Sequence, residues 1–181
     1  MTKIAVCYYS KFHGHTKIVA DAVMRGIAEA GAEVLSVDVA HDVPWAELEK
    51  CDALIFGSPT YMGSVAAEFK RFMDESASVW MKAGWRNKLA AGFTCSHGLS
   101  GDKLNVLIQM AVFAAQHGMV WVGPAQAQEG SQPHHVNRLG SFLGVMAQAD
   151  TKEGPLTPPE GDLKSAALLG KRMVEWAQKI R

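Results

Sequence analysis

Short apolar runs alternate with longer amphipathic stretches along the whole chain, and this alternation constrains the fold more than any other feature of the sequence. Ile4 to Tyr9 is an apolar run rich in strand formers that stops at Ser10. Glu33 to Val37, Ala53 to Phe56, Leu89 to Thr94 and Met119 to Val122 are further runs of strand length. Unbroken apolar runs suit strands covered on both faces, as in a parallel sheet. Helical periods lie between them. Val19, Ala22, Val23, Gly26, Ile27 and Ala30 share one face of a segment from Thr16 to Ala30, and Gly31 supplies its stop. Val65, Phe69, Phe72, Met73 and Ser76 set up a second helix, and Leu104, Leu107, Ile108, Ala111 and Ala115 a third. Leu163, Ala166, Leu169, Gly170, Met173, Val174 and Ala177 mark a closing helix, for which Thr157-Pro158-Pro159 predicts a capped start with proline in the first turn. Val43 to Glu49 reads as a loop with one helical turn.

Strand and helix in alternation predict an α/β fold, a doubly wound parallel sheet with helices on both faces. A length of 181 residues suits one domain over residues 1–181. Gly123 to Gly144 and Thr151 to Gly161 interrupt the plan, and loops of that length in a compact domain tend to be functional or mobile.

Charge and cysteine content narrow the function classes. Lys plus Arg and Asp plus Glu are 18 each, so net charge gives no support to a nucleic-acid partner. The three cysteines, Cys7, Cys51 and Cys95, form no C-x-x-C pair, which argues against a disulfide framework and a cysteine zinc site. His134-His135 invites a metal reading, but adjacent histidines diverge on most backbones, and solvent exposure or a loop over a pocket suits them better. No apolar run approaches the roughly 20 residues of a membrane span, and the first apolar stretch lacks a cleavage-type flank, so the expected location is cytoplasmic. Trp80, Trp85 and Trp121 are expected in packing or subunit contacts.

The loop after the first strand carries the clearest chemistry. Ser10-Lys11-Phe12-His13-Gly14-His15-Thr16 joins a buried strand to a helix N-terminus, where free amides and the helix dipole favour an anion. Ser10 and Thr16 add hydroxyl donors, and Gly14 lets the backbone come close to a ligand. The loop is neither a Walker A sequence nor G-x-G-x-x-G. A polar turn in which Ser10 and Thr16 merely cap the helix fits the same residues.

Taken together, the loops carry a resemblance. Ile4 to Ser10 followed by Gly14-His15-Thr16 resembles the phosphate loop of the flavodoxin-like superfamily. Phe56 to Gly63 is similar to the flavin loop of its WrbA-like branch of NAD(P)H:quinone oxidoreductases, and Phe69 to Asp74 and Gln116 to Val120 resemble that branch too. The resemblance implies a five-stranded sheet in the order 2-1-3-4-5 and bound flavin mononucleotide (FMN). It assigns the phosphate to Ser10, Lys11, Phe12, Gly14, His15 and Thr16. One edge of the isoalloxazine falls to Pro59, Thr60, Tyr61, Met62 and Gly63, and the opposite loop to Cys95, Ser96, His97, Gly98, Leu99 and Ser100. It implies NAD(P)H as electron donor, a quinone-like small molecule as acceptor, and a homodimer or homotetramer. The sequence departs from the branch at Ser96 to Gly101, where relatives carry a Thr/Gly run, at Gln116 in place of a histidine, and in the short Val37 to Asp52 connection.

Within this picture Tyr61 either stacks on the flavin or lines its rim. His97 is the candidate to donate a hydrogen bond to the flavin edge or to a quinone oxygen, and Cys95 reads as a core residue. The leading function is an FMN oxidoreductase; the alternatives are a flavodoxin-type electron carrier and a flavodoxin-fold binding module. Carriers are usually markedly acidic, which this chain is not.

Overall fold

The computed structural model describes residues 1–11, 14–149 and 157–180. Its elements follow in the order β1 (Lys3–Tyr8), α1 (His15–Glu29), β2 (Glu33–Asp38), α2 (Trp45–Leu48), β3 (Ala53–Tyr61), β4 (Ser64–Val65), α3 (Ala67–Glu75), α4 (Ala77–Met81), β5 (Leu89–Ser96), α5 (Lys103–Gln116), β6 (Val120–Trp121), β7 (Val145–Gln148) and α6 (Glu160–Lys179). The central path of the sheet is β2-β1-β3-β5-β6, with every neighbouring pair on it parallel. With β4 set aside, this is the order 2-1-3-4-5 expected of the resemblance.

Strand periodicity divides the core in two. Ile4, Val6 and Tyr8 of β1 join Ile55, Ala91 and Phe93 under α1 and α6. Ala5, Cys7 and Tyr9 join Leu54, Phe56 and Ala90 on the other face, under α3 and α5. Successive strand side chains point to opposite faces, so both faces are apolar only because the runs are unbroken. On the second face Phe56, Phe69, Phe72, Trp85 and Phe113 pack with ring centroids 5.3–6.4 Å apart. On the first, α1 and α6 touch backbone to backbone. A Cβ on Gly26 would stand 2.0 Å from the Ala167 carbonyl oxygen, and one on Gly170 2.3 Å from that of Val23. Only glycine permits that approach.

Three expectations need correction. The fifth strand is not the single run Met119 to Val122. Val120–Trp121 pairs with Leu89–Ala90, and Val145–Gln148 pairs with Phe93–Ser96, so two short strands share one edge position. Gly123-Pro124 turns the chain out of the sheet, since proline has no N–H for the ladder. The chain returns through Gly144, packed on the Gly92 carbonyl, while the Trp121 indole donates to the Leu143 carbonyl at 2.7 Å. Second, β3 does not stop at Phe56 but runs through Pro59 to Tyr61. Its β1 neighbour ends opposite Gly57, so the missing proline N–H faces no partner there, while β5 still pairs on the other side. Third, Pro158 and Pro159 precede α6 rather than entering its first turn, and the helix starts without a side-chain cap. The Thr151 to Leu156 part of the second irregular stretch lies outside the described residues.

Candidate functional site

At the carboxyl ends of β1, β3 and β5 lies a cleft of about 360 Å³ lined by Lys11, His15, Thr16, Pro59, Thr60, Tyr61, Cys95, Ser96, His97 and Ala149. Three loops distant in sequence meet here because the parallel strands that lead into them are neighbours.

The first wall is the β1–α1 connection. Gly14 takes φ +74° as the residue before α1. Gly14 has no side chain to cap the helix and the first turn holds no acidic residue, so the positive end of α1, turned to the loop, has no countercharge of its own. The Ser10 hydroxyl accepts a hydrogen bond from the Lys17 N–H at 3.1 Å. Ser10 therefore does cap an amide, as the simpler reading held, and its own hydrogen remains a donor for a ligand. Thr16 is buried at the cleft wall. Phe12 lies outside the described residues.

The second wall is the end of β3. Ser58, fully buried, accepts from the Ala66 N–H and donates to the Pro59 carbonyl, which fixes the start of the hairpin. Thr60 and Thr94 hydroxyls meet at 2.8 Å across β3 and β5. Tyr61 is 39% exposed, and partial burial raises its phenol pKa, keeping it neutral. β3 and β4 form a two-residue hairpin in which Met62 and Gly63 both have positive φ, 49° and 77°. That geometry suits Gly63 and strains Met62. Met62 is fully exposed at the tip and, with Gly63, does not line the cleft. Asn105 of α5 donates to the Gly63 carbonyl at 2.7 Å and so tethers the tip.

The third wall begins at the end of β5. Cys95 is buried, and burial pushes its thiol up to about 12, so it stays protonated and inert as a nucleophile. His97 Nδ1 lies 3.1 Å from the Ala149 carbonyl oxygen. A carbonyl can only accept, so Nδ1 carries the hydrogen. Neutral His97 therefore presents Nε2 as an acceptor and donates from it only when protonated, which narrows the donor role expected from sequence. Gly98, Leu99 and Ser100 continue the chain from His97 at the cleft wall, and Leu99 and Ser100 line a neighbouring hollow with Leu104, Arg138 and Met146.

Two contributors went unnoticed in the sequence. Ala149 arrives through the pairing of β7 with β5, which no local pattern announces. Lys103 is fully buried and donates to the carbonyls of Gly98, Leu99 and Ser100. Burial lowers its ammonium pKa from the ordinary lysine value.

Other features stand apart from this cleft. A more apolar groove of about 540 Å³ runs between α3, α4 and α5 past Trp80, Ile108 and Val112, far from the strand ends and the phosphate-type loop. Trp80 is exposed there, whereas Trp85 is buried in the aromatic core. His134 is exposed and lines a hollow beside α6 with Pro159 and Glu160. His135 Nδ1 accepts from the Gln132 N–H. Among the described residues no group of three or more His, Cys, Asp or Glu side chains is placed to hold a metal, and no helix is long and apolar enough to cross a membrane.

Residues 45–133 match the family described as NADPH-dependent FMN reductase. The chain is 36% identical over 187 residues to a protein named Flavodoxin FldP from Pseudomonas aeruginosa, covering 99% of each chain. It is 32% identical over 204 residues to an NAD(P)H dehydrogenase (quinone) from Archaeoglobus fulgidus, covering 99% of this chain and 100% of the relative. Among solved structures it resembles a flavodoxin, WrbA-like protein from Agrobacterium tumefaciens with a TM-score of 0.75, 35% identity and full coverage of both chains. By fold, strand order and likeness over its whole length, the chain belongs to the flavodoxin-like family of NADPH-dependent FMN reductases and NAD(P)H quinone dehydrogenases.

Proposed function

We propose that the cleft holds FMN and that the protein passes electrons from NAD(P)H to a quinone-like acceptor. The observation that carries this reading is the position of the cleft. Ligands of open α/β sheets sit outside the carboxyl ends of the strands where strand order reverses, a rule for which flavodoxin is itself a standing example. Here the reversal falls between β1 and β3, and the start of α1, which has no acidic residue in its first turn, opens onto it.

The donor set suits the group. The first-turn region of α1, with Thr16 and Lys11 on the cleft wall and the Ser10 hydroxyl beside the helix start, would meet a monophosphate with neutral donors and a cation. Pro59, Thr60 and Tyr61 offer one flank to a flat ring, and Ser96 and His97 the other. When bound, FMN supplies the redox chemistry, and the protein's part is to orient it, exclude water and set its surroundings. Tyr61 gives an aromatic surface at the mouth of the cleft. His97, with Nδ1–H fixed on Ala149, aims its remaining nitrogen at whatever occupies the cleft. Cys95 contributes shape alone.

An electron carrier is the competing reading, and the relative named Flavodoxin FldP favours it. Balanced charge favours the oxidoreductase, because a neutral surface does little to steer a protein partner. Steady-state kinetics with NADH or NADPH and a benzoquinone decides between them. Turnover with a double-displacement pattern is expected. Bound FMN with negligible NAD(P)H oxidation would hand the function to the carrier, and absence of FMN from the purified protein would overturn both.

A further inference from the structure

A buried lysine needs a reason. Lys103 is the first residue of α5 and has no exposed surface. Two consecutive left-handed residues, Gly101 and Asp102, each at φ 55°, reverse the chain just before it. The reversal sends its side chain back beneath the loop the chain has just left. There its ammonium donates to three successive carbonyls, those of Gly98, Leu99 and Ser100. Among the described residues no carboxylate lies within ion-pair distance of it. The carbonyl just before these, that of His97, accepts from Gln148 Nε2 at 3.1 Å. Gln148 is held in turn. Its Oε1 accepts from Arg138, and its N–H donates to Asp162, which pairs with Arg138 through two hydrogen bonds.

Every carbonyl from His97 to Ser100 is thus drawn to a protein donor. In a trans peptide the N–H points opposite to the preceding carbonyl. The N–H groups of Gly98, Leu99, Ser100 and Gly101 are therefore turned away from Lys103 and Gln148, and none of them donates to a described residue. A run of outward amides backed by a cation is a concavity for electron-rich oxygen or nitrogen. It follows directly on His97 at the cleft wall.

We infer that Lys103, seconded by Gln148, is a positioning residue of the flavin site. By holding the carbonyls of residues 97–100 it aims the amides of residues 98–101 at the oxygen-bearing edge of the ring system. This inference rests on the proposed FMN site and adds a direction to it. Electron density at that edge rises on reduction, so pre-aimed donors and the charge behind them favour reduced over oxidised FMN. Nothing in the local sequence suggests the role, since a lysine at a helix start ordinarily reads as solvated.

The test is Lys103→Met, which keeps the stem and removes the donors, with Gln148→Met as a milder second variant. Far-ultraviolet circular dichroism reports folding, fluorescence titration with FMN gives the dissociation constant, and spectroelectrochemistry gives the midpoint potential. For Lys103→Met the expected result is about tenfold weaker binding of oxidised FMN, the size of one amide hydrogen bond to the ring lost when its donor is no longer aimed. A further loss of about tenfold for the reduced form would lower the two-electron potential by about 30 mV. Gln148→Met should move both quantities the same way by less. Folded Lys103→Met with unchanged dissociation constant and potential would overturn the inference while leaving the FMN site intact. If Lys103→Met does not fold, unchanged values in Gln148→Met would overturn it. Wild-type protein that binds no FMN would overturn the parent reading, and this one with it.

Discussion

His117 gives a pH test of how the second face of the core is wired. The Ser76 hydroxyl donates to the Met73 carbonyl at 2.7 Å, so it offers only lone pairs to His117 Nε2, 2.9 Å away. Nε2 must then carry the hydrogen. Nδ1 is left as a buried acceptor without a partner among the described residues. The imidazole lies against Trp85 and Phe113, with centroids at 4.4 and 4.9 Å. A proton on Nδ1 would put a charge among aromatic rings, and burial accordingly lowers the pKa from 6.5 to about 4. With the folded pKa below the unfolded one, the unfolded chain takes up the proton first as pH falls. The stability contribution is therefore full above pH 6.5 and is lost as pH drops toward 4. Linkage gives a loss of about 2 kcal/mol between pH 7.5 and pH 5, and up to about 3 kcal/mol at lower pH. Urea unfolding of wild type and His117→Leu at both pH values isolates this contribution, because the other titrating groups are common to both proteins. The wild type should lose about 2 kcal/mol more than the variant. Equal pH slopes would refute both the tautomer and the burial reasoning.

Three further outcomes follow from the packing and the site. Gly26→Ala should destabilise by about 1–3 kcal/mol or more, because its methyl would overlap the Ala167 backbone; a melting temperature within a degree of wild type would contradict the contact between α1 and α6. Asp162→Asn should cost about 3–5 kcal/mol, since it leaves the Arg138 guanidinium buried without its countercharge, whereas pairing Asp162→Leu with Arg138→Met should cost less than the two single changes summed; denaturant titration of the four-protein cycle reads the coupling. Ser10→Ala with Thr16→Ala should weaken FMN binding by roughly one to two decades per lost hydrogen bond, and unchanged affinity in a flavin titration would move the phosphate away from α1.

The parts of the fold that could be read from sequence are those whose cause is local. Ile4 to Tyr9 is apolar at every position because both faces of β1 are covered, and the same holds for Leu54 to Phe56. The loop at Ser10 to Thr16 was legible because a helix start and its donors are neighbours in the chain. What escaped depends on partners far away. Val145 to Gln148 is too short to announce a strand and becomes one only beside β5. Pro59 reads as a strand end, yet costs nothing where β1 has already stopped. Lys103 carries the residue type of a surface, and only the reversal at Gly101-Asp102 buries it. Met62 sits in a loop similar to that of the family and Leu99 in one that departs from it; the first caps a hairpin and the second faces a different hollow.

The broken strand at the sheet's edge also bears on self-association. An open sheet ends in rows of unpaired amides and carbonyls that another chain can extend. On one side this sheet ends in β2, whose Glu33 and Ser36 are exposed and whose Asp38 is partly so, a polar border that disfavours a flat apolar addition. On the other side the border is cut into pieces of two and four residues, β6 and β7. The excursion between them leaves after Val122, where the Arg172 side chain donates to the Gly123 carbonyl at 2.9 Å, and comes back against Gly92. A neighbouring strand approaching from that side meets a gap and a folded loop in place of a continuous ladder. For a chain with no net charge to keep copies apart, this interrupted border is a structural guard against fibre-like growth.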